Sequence, residues 1–243
     1  MHPLYNCLLF ITTLAGGSLP LLVKWLDDRR MHYLLAFSGS FLLSVTFLHL
    51  LPETFEELNT DAGIYLLIGF FLQLLIQRIT HGMEHGHTHI HPNDHDHHIA
   101  LLPLLAGLSV HAAMDGLPLG FNYRTGATIP SLYLAIAVHK LPEAMLIASL
   151  VSVVKGRRQA FITLVLFSAI TPLTAVLAQF AGEHYKAMAK TVSMLIPIVA
   201  GAFIHIATTI FFESGTKQHM LTWQKLAAML AGVGMAFLTL SFE

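Results

Sequence analysis

The chain has 243 residues, 55% of them apolar and only 11% charged, with 13 Lys and Arg against 14 Asp and Glu and a formal net charge of −1. So few charges would leave wide apolar patches on a soluble globule of this size, and a near-neutral balance offers no basic face to phosphates. A soluble enzyme and a nucleic-acid binder are excluded, as is a disulfide-stapled secreted domain, since Cys7 is the single cysteine. The chain reads as an all-α polytopic membrane protein. Its sixteen histidines outnumber either charge class, and neutral imidazole is the commonest metal ligand.

A bilayer core of about 30 Å takes roughly 20 apolar residues per helix. On that template eight spans are expected, over Leu4–Leu26, Tyr33–Leu51, Gly63–Ile79, Ile99–Phe121, Ile129–Val154, Ala160–Phe180, Val192–Phe212 and Leu221–Leu240. The first lacks the basic start and small-residue cleavage site of a signal peptide and is read as a retained helix. Lys24, Arg29, Arg30, Arg78, Lys155, Arg157, Arg158, Lys217 and Lys225 fall on one set of connections, and only Arg124, Lys186 and Lys190 on the other. By the positive-inside rule both termini face away from the cytoplasm and the connection after span three faces into it. Residues 1–243 are read as one transmembrane domain interrupted by that connection, residues 80–98.

Eight of the sixteen histidines lie in this loop, including His85, His87, His89, His91, His95 and His97, interleaved with Asp94 and Asp96. It has no apolar period and cannot build a core. Its composition points to low-specificity binding of borderline metals such as zinc.

Spans four and five carry the chemistry. Span four contains His111-Ala-Ala-Met-Asp115-Gly116, and span five contains His139-Lys140-Leu-Pro142-Glu143. In each, a histidine precedes a carboxylate by four residues, a spacing that stacks both side chains on one helix face. Two such faces packed together would offer two imidazoles and two carboxylates to one point, a set suited to Zn²⁺ and acceptable to Fe²⁺, Mn²⁺ or Cd²⁺. Pro118 and Pro142 each remove a backbone donor and predict interrupted helices, which are tolerated at membrane depth where they line a cavity. Structural His–carboxylate hydrogen bonds between helices are the alternative reading.

With these residues the chain resembles the ZIP (Zrt/Irt-like protein) family of divalent metal transporters. The span-four motif matches at His111, Asp115 and Gly116, and the span-five motif His/Gln-x-x-Pro-Glu matches at His139, Pro142 and Glu143. The span-two ending Phe47-Leu48-His49-Leu50-Leu51-Pro52-Glu53 is similar to the family's Phe-x-His-Leu-x-Pro-Glu. The resemblance implies eight spans in a 3+2+3 arrangement, with spans one to three and six to eight as an inverted repeat. It also implies a bundle of spans one, four, five and six that moves against the rest.

Three departures narrow the site. Ala112 stands where many members have Asn, Lys140 where two-metal members have a carboxylate, and Thr171 where they have Glu before the span-six proline, here Pro172. The resemblance then implies one ion held by His111, Asp115, His139 and Glu143, with the Lys140 ammonium in the place of a second cation. His49 and Glu53 would stand at the external entrance, and His205 is as readily a core histidine as a pathway residue. A short echo of Ser38-Gly39-Ser40-Phe41 in Ala200-Gly201-Ala202-Phe203 agrees with an inverted repeat.

The expected function is movement of a divalent metal, zinc foremost, toward the cytoplasm. The ion is cargo, no cofactor is expected, and the chain is read as a transporter rather than an enzyme. The expected partners are the ion and the lipid bilayer, without nucleic acid, and a homodimer stays open. Compact length and a single elaborated loop favour a bacterial inner membrane. Two alternatives are a metal exporter of another carrier family, which usually has six spans, and a membrane-embedded zinc hydrolase, which needs an open coordination position and an activated water.

Overall fold

The computed structural model describes residues 3–22, 28–80, 101–121, 129–184, 189–213 and 222–240. Apolar side chains facing lipid leave the backbone no external partner, so each span must satisfy its own amides as a helix. The described residues are helical apart from short turns: α1 (Pro3–Leu22), α2 (Asp28–Val45), a π-helical turn (Thr46–Leu50), α3 (Leu51–Leu58), α4 (Asp61–Thr80), α5 (Leu101–Phe121), α6 (Ile129–Lys155), α7 (Arg157–His184), α8 (Ala189–Glu213) and α9 (Trp223–Leu240). Backbone angles stay right-handed helical from Val45 through Leu51, so α2, the π turn and α3 form one rod. The described residues thus contain eight rods, an all-α polytopic membrane protein. By length and composition five stretches suffice to cross a bilayer: Leu4–Leu22, Met31–Leu58, Asp61–Arg78, Pro130–Lys155 and Arg157–Ala181.

Span two departs from expectation. It was expected to end at Leu51, and instead continues through Pro52 to Leu58. In a regular α-helix the ring of Pro52 would press on the carbonyl four residues back. The turn just before it is widened, with the Leu51 amide donating to the Thr46 carbonyl five residues earlier. The expected interruptions at Pro118 and Pro142 are likewise absent, since α5 and α6 run unbroken through them. Each proline lacks the amide that would donate to the carbonyl four residues back, at Met114 and Val138 respectively, and the surrounding helix holds its course.

The rods form two groups. In the first, α1 packs on α6, α7 on α5, and α6 on α7; in the second, α4 packs on α8 and α9 on α2. Contacts of α2 with α6, α4 with α5 and α8 with α5 join them. The apolar core shared between the groups includes Phe41 and Leu42 of α2, Leu132 and Ile136 of α6, and Phe203 of α8. A second core, including Leu104, Leu108, Ile147 and Leu164, lies inside the first group.

Glycine sets the closest approaches. A methyl at Gly69 of α4 would overlap the Ile198 carbonyl of α8, and one at Gly201 of α8 would overlap the Leu66 carbonyl of α4. Gly116 and Gly120 likewise leave no room for a methyl between α5 and the Thr171 and Ala175 carbonyls of α7. Gly156 alone links α6 to α7, and its φ of 82° explains the residue type.

Candidate metal centre

The centre lies between α5 and α6. Four-residue spacing puts His111 and Asp115 on one face of α5, and His139 and Glu143 on one face of α6. Their burial is nearly complete, at 1%, 0%, 3% and 4% exposure in that order. His111 reaches across to α6, with Nε2 2.8 Å from Glu143 Oε1, while its own-helix partner Asp115 Oδ2 is 3.6 Å away. His139 Nε2 is 3.1 Å from the same Glu143 Oε1. The two imidazole rings stand edge to face, 5.7 Å apart.

His111, His139 and Glu143 each offer one ligand atom, all within 4.8 Å of one another. Ligands around one tetrahedral zinc at bonds of about 2 Å stand roughly 3.3 Å apart. The two Nε2 atoms lack hydrogen-bond geometry, and both Nδ1 atoms also lack a hydrogen-bond partner. Buried polar atoms normally have partners, so two Nε2 atoms converging on one carboxylate oxygen without hydrogen-bond geometry fit a cationic ligand.

Lys140, 1% exposed, changes the company of the carboxylates. Its Nζ lies 2.5 Å from Asp115 Oδ2 and 2.6 Å from Glu143 Oε2. The ring of Phe167 in α7 caps it, with the centroid 5.2 Å from Nζ. Glu143 therefore divides its oxygens, Oε1 toward the imidazoles and Oε2 toward the ammonium. Asp115 Oδ2 stands at ion-pair distance from Lys140, and both Asp115 oxygens are buried without a hydrogen-bond partner. Thr171 Oγ1 donates to the Ala112 carbonyl at 2.8 Å, fixing α5 to α7 one residue from His111.

Of the four donors expected to converge, the structure gathers three, with Asp115 next to them and paired to Lys140. His49, in the π turn, is buried and Glu53 is half-buried; among the described residues neither belongs to the three-donor group. His205 is also outside it and packs edge-on against Phe70 of α4, with ring centroids 4.8 Å apart. The loop residues His85, His87, His89, His91, His95 and His97 lie outside the described residues. Phe167 escapes sequence reasoning, because an aromatic in an apolar span carries no sign of what it faces. Thr171, which stands where two-metal members have Glu, ties α7 to α5 here.

The family model described as ZIP zinc transporter matches residues 6–103 and 80–239. The zinc transporter ZIP9 of Micropogonias undulatus is 32% identical over 162 residues, covering 63% of this chain and 51% of that protein. The zinc transporter ZIP9-B of Xenopus laevis is 28% identical over 160 residues, covering 63% and 52%. The probable zinc transporter 10 of Arabidopsis thaliana is 23% identical over 265 residues, covering 82% and 72%. The matched stretch spans about half the length of the ZIP9 relatives. The family match runs over nearly the whole chain and includes both helices of the centre; the chain belongs to the ZIP zinc transporter family.

Proposed function

We propose that this chain carries divalent transition-metal ions, zinc foremost, across the membrane toward the cytoplasm, through a site for one ion between α5 and α6. The observation that carries this reading is the buried set of His111, His139 and Glu143 with unpaired nitrogens facing one carboxylate oxygen. Two imidazoles and a carboxylate suit zinc and admit Fe²⁺, Mn²⁺ or Cd²⁺. Asp115 Oδ1 supplies the fourth ligand, its other oxygen staying with Lys140. The inward direction rests on family membership, and the outward-facing termini on the Lys/Arg bias. His49 and Glu53 serve as the external entrance and the His-rich loop as an inner reservoir. A bacterial inner membrane is the host read from the sequence, although the relatives named above are eukaryotic.

A membrane-embedded zinc hydrolase is the second reading, because three converging donors resemble a catalytic zinc with one open position. Both readings meet the same experiment. Purified wild-type protein in proteoliposomes should take up ⁶⁵Zn²⁺ saturably, and His139→Ala and Glu143→Ala should each lower the rate by more than about tenfold, as expected for loss of one of few ligands. A wild type that binds zinc and moves none, with variants that bind equally well, would overturn the proposal; zinc-dependent hydrolysis by that preparation would favour the enzyme.

A further inference from the structure

We infer that Lys140 is a tethered counter-cation that keeps the site crossable when it carries no cargo. This inference rests on reading the centre as a transport site. The ammonium is fully engaged, held by Asp115 Oδ2 at 2.5 Å, Glu143 Oε2 at 2.6 Å and the face of Phe167. The buried lysine lies between two carboxylates, with a charge-assisted hydrogen bond to Glu143 and an ion pair with Asp115.

The division of Glu143 decides what the lysine can do. Its Oε2 meets the ammonium and its Oε1 meets the imidazoles. Cargo at Oε1 and ammonium at Oε2 use opposite oxygens, so the ion enters without expelling the lysine. With both imidazoles neutral, as ligation requires, Asp115, Glu143 and Lys140 together carry one negative charge without cargo and one positive charge with a divalent ion. Remove the lysine charge and the values become two negative and zero. The cost of burying a net charge grows as its square, so the cargo-free site without Lys140 would cost about four times as much to hold in low dielectric. Lys140 thus equalises the two crossings of a cycle, loaded in one direction and unloaded in the other.

The consequence is specific to the unloaded crossing. Lys140→Gln keeps donors for both carboxylates and removes the charge; Lys140→Met removes both; Lys140→Arg keeps the charge. Two rates are measured in proteoliposomes with ⁶⁵Zn²⁺: net uptake into zinc-free vesicles, which needs the unloaded return, and exchange against zinc inside, in which the site is always loaded. In Lys140→Gln, exchange should continue within about threefold of wild type while net uptake falls at least about tenfold, the asymmetry expected of a buried charge left uncompensated in one state only. Lys140→Met should show the same split, and Lys140→Arg should keep both rates. Net uptake at the wild-type rate in Lys140→Gln would overturn the inference, as would equal loss of both rates in Lys140→Gln and Lys140→Met. A wild type with neither net uptake nor exchange would instead overturn the transport reading.

Discussion

Asp115 and Glu143 share a chemistry and a helical spacing to histidine, yet the protein uses them differently. Glu143 serves both imidazoles with one oxygen and the ammonium with the other, while Asp115 is turned to Lys140. Sequence spacing determines which side chains share a face of one helix. It does not determine which group on the neighbouring helix each will meet, and His111 prefers Glu143 on α6 over Asp115 one turn along α5. The donor types were therefore legible in the sequence, and their pairing was not. Since both imidazoles must be neutral to bind an ion, protons compete with cargo. The zinc concentration for half-maximal uptake should rise as the external pH is lowered. In Glu53→Gln, which removes an entrance carboxylate and none of the three donors, the rise should persist. Uptake kinetics across a pH series would check both expectations.

At the scale of the element, hydropathy located the spans to within a few residues, except at the end of span two. That error has a physical source. The expected span ends just before Pro52, and a widened π turn ahead of that proline lets the rod continue. The opposite mistake, expecting breaks at Pro118 and Pro142, has the same root, because a proline removes one amide and the neighbouring helices decide whether the rod stays straight. Glycine is more informative once its neighbours are known. Gly69 faces the Ile198 carbonyl with no room for a methyl, whereas Gly234 on α9 has nothing within 4 Å. Gly69→Ala should therefore destabilise the detergent-solubilised protein by about 1–3 kcal/mol, the usual cost of overpacking. Gly234→Ala should leave it unchanged or stabilise it by up to about 1 kcal/mol through helix propensity. Thermal unfolding of the two variants beside wild type would show whether the α4–α8 approach is as tight as it stands here.

The whole molecule carries a near-symmetry that the sequence only hints at. Exchanging α1 with α7, the α2–α3 rod with α8, α4 with α9 and α5 with α6 maps the main packing onto itself. The α1–α6 contact becomes α7–α5, and α4–α8 becomes α9–α2. Phe41 and Phe203, the aromatic ends of the two faint repeats, are both buried in the core between the groups. The exception is α6 on α7, for which α1 and α5 make no comparable contact. The first group, α1, α5, α6 and α7, contains every residue of the centre, so both walls of the site would travel together if the groups slide past each other. Short apolar sequences diverge in identity while keeping size and polarity, which is why packing preserves the repeat and the residues do not.

Cargo that crosses through this site must touch these side chains on its way. Replacing an imidazole by a thiolate makes a zinc site favour softer Cd²⁺, so in His139→Cys and His111→Cys passage through the site should show as a change of preference. Uptake of ¹⁰⁹Cd²⁺ relative to ⁶⁵Zn²⁺ should rise about tenfold in either variant, reflecting roughly 1.4 kcal/mol of altered selectivity. Uptake of both ions at the wild-type ratio in both variants would mean that the cargo passes elsewhere.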